Sequence, residues 1–350
     1  MFRRKRFPVS MVGKPSQMVV FDALYSIAAE DGRGEALFGN SFDLARIAYE
    51  RALIGDGYPE VYLEFPLLGS PGFDLLAVHS TVRPGSRFAS GAGFGYQAMF
   101  GWFSGVCDMG GNASCGFELD TSVGETERAG VYLQYRKHSE LIGPFLDSIG
   151  EGARMESFLT VAGRMSEDWP AAYVGLFPGR VGTPLRIGGY LGQDMQTACA
   201  SDPALLAAQF DQIGFTAYDG EMLTKCSTFM SLAPSVDFQF DIMPDGTLGE
   251  VFGLSLSFNE TTLRQERACM ESGYGAQICR TLQEWGLADE RWRLIAGATF
   301  GKHVPFYRDD GSQGRFALGC MFNYAKVKFA DAVAQPAKFY LRMFAGEVEA

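Results

Sequence analysis

The stretches 316-FALGCMFNYAKVKF-329 and 337-AKFYLRMF-344 decide how this chain is read. Side chains alternate across a strand. Tyr324, Lys326 and Lys328 therefore share one face, and Lys338, Tyr340 and Arg342 share one on the returning strand. The opposite faces carry Val327 and Phe329, then Phe339, Leu341 and Met343. One side of this hairpin suits a layer of helices. The other is cationic and rich in tyrosine.

Four earlier segments repeat the pattern. Short alternating runs bounded by Gly and Pro read as strands. They pair as 60–65 with 72–80, 115–121 with 130–136, 171–177 with 184–191, and 235–243 with 250–258. Helical stretches are expected between the pairs: one at 42–53, one at 96–106, two within 139–165, two within 202–230 and at least one within 261–285. Strands joined by tight turns are antiparallel. The segment 302–314 reads as a long loop before the last hairpin, placed to cap one end of the sheet. No Pro- or Ser-rich linker divides the chain. The expected organisation is an N-terminal tail and leading segment over 1–40 and a single domain over 41–350.

The other hairpins also have a polar face. Tyr62, Glu64 and Asp74 lie on it in the first, and Glu118, Tyr132, Gln134 and Arg136 in the second. Tyr173, Arg186 and Tyr190 mark the third; Asp237, Gln239, Asp241, Ser255 and Ser257 mark the fourth. A half-solvated sheet also has a polar outer face. Rings mixed with cations are less typical of one. If helices cover the apolar faces and the sheet closes, the polar faces line a lumen. Ten strands leave such a lumen room for a ligand.

Composition narrows the function. The chain has 350 residues, 47% hydrophobic and 20% charged, enough to bury a core. Forty-one acids against thirty bases leave a formal charge of −11, which argues against a nucleic-acid partner. One cationic pocket inside an acidic shell remains compatible with that balance. Seven cysteines without a Cys-x-x-Cys spacing, and three histidines, argue against structural zinc and a full disulfide framework. Reduced thiols in a cytoplasmic protein are expected. The start MFRRKRF is followed by Pro8, Lys14 and Pro15 rather than an apolar run, and no stretch is suited to spanning a membrane.

With its helix–hairpin rhythm and its Lys-x-Lys at 326–328 and Lys-x-Tyr at 338–340, the chain resembles the PT-barrel, or ABBA-type, prenyltransferases from about Phe42 to Phe344. The absence of an Asp-rich DDxxD motif agrees with that family and not with the all-helical prenyl synthases. The resemblance implies an α/β fold: a ten-stranded antiparallel PT-type barrel of repeated α-β-β-α units with helices outside. It implies transfer of a prenyl group from an allylic diphosphate (dimethylallyl, geranyl or farnesyl) to an aromatic small molecule or a peptide-borne acceptor. The C-terminal segment also resembles proteins encoded beside ribosomally made, modified peptides, which places the reaction in natural-product biosynthesis.

On this resemblance Arg136, Arg186, Lys326, Lys328, Lys338 and Arg342 would hold the diphosphate, and Tyr132, Tyr190, Tyr324 and Tyr340 would shield the allylic cation. Glu64 and Glu118 are the candidate proton acceptors. Asp74 stands where magnesium-dependent members keep an acidic ligand, so the resemblance allows a Mg2+ cofactor without requiring one, since several members need no metal. The residue types suit the chemistry. A leaving diphosphate of about three negative charges must meet cations in a low-dielectric site. Arg and Lys both bind phosphate oxygens. Aromatic faces stabilise an adjacent cation, and a carboxylate can take the acceptor's proton. The alternative is a non-catalytic barrel that binds a peptide or an anionic metabolite in a biosynthetic pathway.

Other features are weaker. Gly91-x-Gly93-x-Gly95 and Gly110-Gly111 lack the helix and lysine of a phosphate loop. His79, His138 and His303 lack ligand spacing, and no Gly-x-Ser-x-Gly elbow is present. Cys115 and Cys320 show no partner base. Trp102, Trp285 and Trp292 are expected in helix packing.

Overall fold

A computed structural model describes residues 11–52, 57–79, 96–108, 113–119, 129–179, 182–308 and 310–348. The strands are β1 (Glu60–Pro66), β2 (Asp74–His79), β3 (Ser114–Leu119), β4 (Gly130–Gln134), β5 (Ala171–Leu176), β6 (Leu185–Tyr190), β7 (Ser235–Ile242), β8 (Leu248–Ser257), β9 (Phe300–Tyr307), β10 (Gln313–Ala330) and β11 (Lys338–Val348). Strands β1 to β8 pair in sequence order, each antiparallel to the next. β11 pairs with β1, and β10 with β11. The ring closes where β8 meets β10, from Ser257↔Tyr324 to Val251↔Ala330. The result is the expected closed, ten-stranded antiparallel barrel.

The apolar faces point outward and carry the core. Val61, Leu63, Phe65, Phe238, Phe240, Phe252 and Leu254 are all buried under helices. Trp169 stacks on Phe238 at 4.7 Å. Phe210, from the helix Pro203–Ile213, meets Phe252 edge-on at 5.0 Å. The core is thus a sleeve between barrel and helices, and the lumen is left to polar side chains.

The helices form for local reasons. Helix α1 (Gln17–Ala28) starts at Ser16, whose hydroxyl accepts from Val19 N–H, and stacks Phe21 on Tyr49 of α2 (Phe42–Ala52) at 4.4 Å. Then come α3 (Gln97–Asp108), α4 (Ile142–Ser148), α5 (Met155–Ala162) and α6 (Gln193–Ser201). Asp202 caps α7 (Pro203–Ile213), with Pro203 at the favoured first position. Asp219 caps α8 (Gly220–Leu232). Thr262 caps α9 (Leu263–Ser272), which leads into α10 (Tyr274–Glu284). The short α11 (Ile295–Ala298) ends the helical part. Helices α1, α6 and α11 lie outside the helical stretches expected from the sequence.

The segment 302–314 is not a loop. Most of it is β9 and the start of β10, which pair from Phe300↔Cys320 to Tyr307↔Gln313. Pro305 and the polar run Gly301-Lys302-His303 leave this strand without an alternating apolar period. Both are tolerated because, among the described residues, β9 is an edge strand partnered on its other side only by the two-residue strand Met11–Val12. β10 therefore runs for 18 residues and changes neighbours along its length, from β9 to β8. Arg315 to Gly319 pair with Val348 to Phe344, beyond the last β1 contact of β11 at Met343. This end of the sheet projects past the barrel rim. Crossover helices meet the barrel at the same rim, and tight turns such as Met243–Thr247 close the opposite one.

Ser80, Asp120, Thr121, Arg180, Asp309, the basic start of the chain, Gly91 to Gly95 and Gly110-Gly111 lie outside the described residues. The tryptophans serve packing as expected. Trp285 meets Phe229 edge-on at 5.0 Å, Trp102 lies 6.1 Å from Phe145, and Trp292 donates to Gln283. Cys115 and Cys320 are buried, and burial pushes the Cys320 thiol up. Among the described residues no helix is long and apolar enough to cross a membrane.

Candidate functional site

The inward faces enclose a chamber of about 520 Å³. Alternation along each strand decides what lines it. Glu60 and Tyr62 come from β1, Glu118 from β3, Tyr132 and Gln134 from β4 and Tyr173 from β5. Arg186 and Tyr190 of β6 face Asp237 and Gln239 of β7, Ser255 of β8, Tyr324 and Lys326 of β10, and Tyr340 and Arg342 of β11. Arg136, just past β4, stands at the helix-side rim. Tyr190 is 47% exposed although it lines the chamber, so that rim is open to solvent.

Small residues make room for the rings. Gly116 sits opposite Tyr132 in the β3–β4 ladder, and a Cβ there would lie 2.1 Å from the tyrosine ring. Gly188 stands in the same relation to Tyr173. The rings lie flat along the wall instead of filling the lumen. Tyr324 and Tyr340 stack on each other at 4.0 Å and 23°, with the Lys326 ammonium 5.9 Å from the Tyr340 centroid. Burial raises the phenols of Tyr132, Tyr173, Tyr324 and Tyr340 well above the ordinary tyrosine value, so all four are neutral donors.

The cations have partners. Arg186 Nε lies 2.9 Å from Asp241 Oδ1 and its Nη2 lies 2.8 Å from the same oxygen, while the guanidinium packs 4.3 Å over Phe177. Arg342 pairs with Glu60, which also accepts from Tyr62 at 3.0 Å. Lys338 Nζ lies 2.7 Å from Glu64 and 2.9 Å from Asp74. Burial alone would raise the Glu64 carboxyl; Lys338, Lys326 and Lys328 together hold it below the usual carboxylate range. Arg136 has no carboxylate partner among the described residues. Its backbone is in the left-handed region at φ 51°, where both its N–H and that of Tyr135 reach Ala172 O.

The structure thus brings Glu118, Arg136, Arg186, Lys326, Arg342, Tyr132, Tyr190, Tyr324 and Tyr340 into the lining of one chamber. Glu64, Asp74 and Lys338 form an ion cluster below it, near Lys328, at the turn-side end. Asp74 is a candidate magnesium ligand on sequence grounds, but its carboxylate oxygen is held by the Lys338 ammonium. No group of three or more His, Cys, Asp or Glu among the described residues forms a metal-binding set. These donors do not fit a protein-held magnesium ion.

Tyr62, Tyr173, Asp237 and Gln239 join the wall without having been assigned a role from sequence; the same alternation puts them there. Asp237 accepts from the Ser255 hydroxyl beside Lys326. Burial pushes its carboxyl up to about 6 against these two stabilising neighbours. The buried amide nitrogen of Gln239 has no protein partner among the described residues.

No family model matches the chain, and no curated protein matches it. Solved structures do. The crystal structure of 5-dimethylallyltryptophan synthase from Streptomyces coelicolor superposes with a TM-score of 0.50 and 10% sequence identity, covering 94% of this chain and 97% of that one. The complex of that enzyme with DMASPP and Trp superposes with a TM-score of 0.49 and 10% identity, covering 94% and 95%. At 10% identity the likeness of the first is one of fold. The chain has the PT-barrel, or ABBA, fold.

Proposed function

We propose that this protein transfers a prenyl group from an allylic diphosphate to an aromatic acceptor, small or peptide-borne, inside the barrel. One observation carries the reading. The closed chamber sets tyrosine faces and buried cations on the same wall, with Lys326 beside the stacked Tyr324–Tyr340 pair. Ionisation of an allylic diphosphate separates an anion from a carbocation. It is favoured where fixed donors meet the first and aromatic faces the second. Lys326, Arg136 and the Gln239 amide are the donors for the diphosphate. Arg342 and Arg186 border it, each sharing its charge with a carboxylate. Tyr132, Tyr324 and Tyr340 flank the prenyl chain. One protein of this fold is a dimethylallyltryptophan synthase, which supports the reading, although a fold hosts many functions.

One observation favours a second reading. Arg186 and Arg342 on the wall and Lys338 below it already hold carboxylates, so the chamber and its floor are nearly charge-balanced. That suits a non-catalytic barrel binding a peptide or an anionic metabolite. Calorimetric titration with the thiolodiphosphates of dimethylallyl, geranyl and farnesyl chains, with and without magnesium, separates the two. Prenyl transfer requires micromolar binding that weakens at least tenfold in Lys326→Ala and Arg136→Ala proteins. No binding to a folded sample moves the assignment to the second reading.

A further inference from the structure

Six carboxylates belong to the chamber and its floor, and five have an evident charge-bearing role. Glu60 holds Arg342 and accepts from Tyr62. Glu64 and Asp74 hold Lys338 and lie off the chamber wall. Asp241 chelates Arg186, and the field of Glu118 falls on the same guanidinium. Asp237 is different. It sits on β7 facing the lumen, with a hydroxyl, Ser255, as its hydrogen-bond donor and the Lys326 ammonium as its near cation. Among the described residues the phenols of Tyr173 on β5, Tyr190 on β6 and Tyr324 on β10 also feel its charge. Lys326 is also the cation beside the tyrosine stack.

We infer that Asp237, rather than Glu64 or Glu118, accepts the proton that the aromatic acceptor loses, and that the donor's own diphosphate switches it on by engaging Lys326. This rests on the prenyl-transfer reading and adds to it the residue that completes the reaction. The C1–O bond of the donor breaks, and its electron pair leaves with the diphosphate. A π pair of the acceptor ring forms the new bond to C1. The hydrogen on that ring carbon passes as a proton to the Asp237 carboxylate, its electron pair restores the ring, and the carboxylic acid later releases the proton to solvent. Before the donor binds, Lys326 stabilises the charged carboxylate. Once a diphosphate shares Lys326, that stabilisation weakens and the carboxylate becomes the stronger base. Enclosure already sets its basicity near the range where general bases operate.

Two measurements test this on the intact protein. In the first, dimethylallyl S-thiolodiphosphate is titrated near pH 6.5 in buffers of different ionisation enthalpy. The wild type is expected to take up more protons than Asp237→Asn, which should bind the analogue at least as tightly because a carboxylate next to Lys326 is gone. Equal proton uptake overturns the inference. In the second, dimethylallyl diphosphate is offered with tryptophan and tyrosine acceptors, free and within a short peptide. Asp237→Asn is expected to lose about 10²-fold or more in turnover. Ser255→Ala, which removes a donor to the carboxylate, should move the acid limb of the rate profile to higher pH. Asp237→Asn turning over at the wild-type rate with the same acid limb rejects Asp237 and leaves prenyl transfer standing. A wild type that neither binds the analogue nor forms product rejects both.

Discussion

Gly116 faces Tyr132 across β3 and β4, and a single methyl there collides with the ring. The chamber that Tyr132 lines is the open space into which the ring would shift. Gly116→Ala is therefore expected to narrow the chamber and to cost about 1–3 kcal/mol, the usual range for overpacking. Urea denaturation reads the second effect. Titration with prenyl thiolodiphosphates reads the first, with geranyl and farnesyl chains losing more affinity than dimethylallyl. Glu64, in the ion cluster below the chamber wall, is a stability residue. Glu64→Gln leaves Lys338 with Asp74 alone, an expected loss of about 2 kcal/mol, below the 3–5 of a fully buried broken pair. Its pH dependence follows from the depressed carboxyl. The contribution is complete above the unfolded carboxylate range near 4 and disappears only as pH falls below it. The stability gap between wild type and Glu64→Gln should stay constant from pH 5 to 8 and close in acid. A gap that closes near neutrality would contradict the assignment.

At the scale of the element, β10 has to change partners without breaking. The register shifts at a bulge between Phe322 and Tyr324. There the Phe322 N–H is taken by the carboxylate of Glu266 from α9, and Phe258 N–H reaches Asn323 O. Burial pushes the Glu266 carboxyl up to about 7, against the Phe322 N–H. A raised carboxyl favours the fold while it is protonated and costs stability as it ionises. Wild type should lose stability relative to Glu266→Gln as pH rises from about 4.5 to 7. Parallel melting curves across that window would exclude it. Bulge and cap were not legible in sequence, because nothing local distinguishes residues 322–324 from the rest of the strand. The faces of 316–329 were legible, because a half-buried strand must alternate. β9 was not, because only its Phe300 and Phe306 are buried, too few to impose an alternating period. The wall residues followed from alternation, but their ion pairs did not. Lys338 and Asp74 are 264 positions apart, and Arg342 and Glu60 are 282 apart. Only barrel closure and register bring such pairs together.

At the scale of the whole molecule, closure turns an ordinary arrangement inside out. In an open sheet the tyrosines and lysines would face water. Here β8 meets β10, the helices take the apolar faces, and the polar ones enclose a chamber in a chain of net charge −11. A mouth at the helix-side rim, carrying Arg136 and Tyr190, leads to a tyrosine belt and then to an ion cluster at the turn-side end. An allylic diphosphate entering such a chamber should place its charged end on Lys326 and Arg136 and its chain along Tyr132, Tyr324 and Tyr340. A crystal structure with dimethylallyl S-thiolodiphosphate tests this most directly. Prenyl transfer in the barrel requires density for the diphosphate within hydrogen-bond reach of Lys326 Nζ, with the prenyl carbons against the tyrosine stack. A lumen that stays free of the analogue at saturating concentration, or a diphosphate bound outside the barrel, would contradict it.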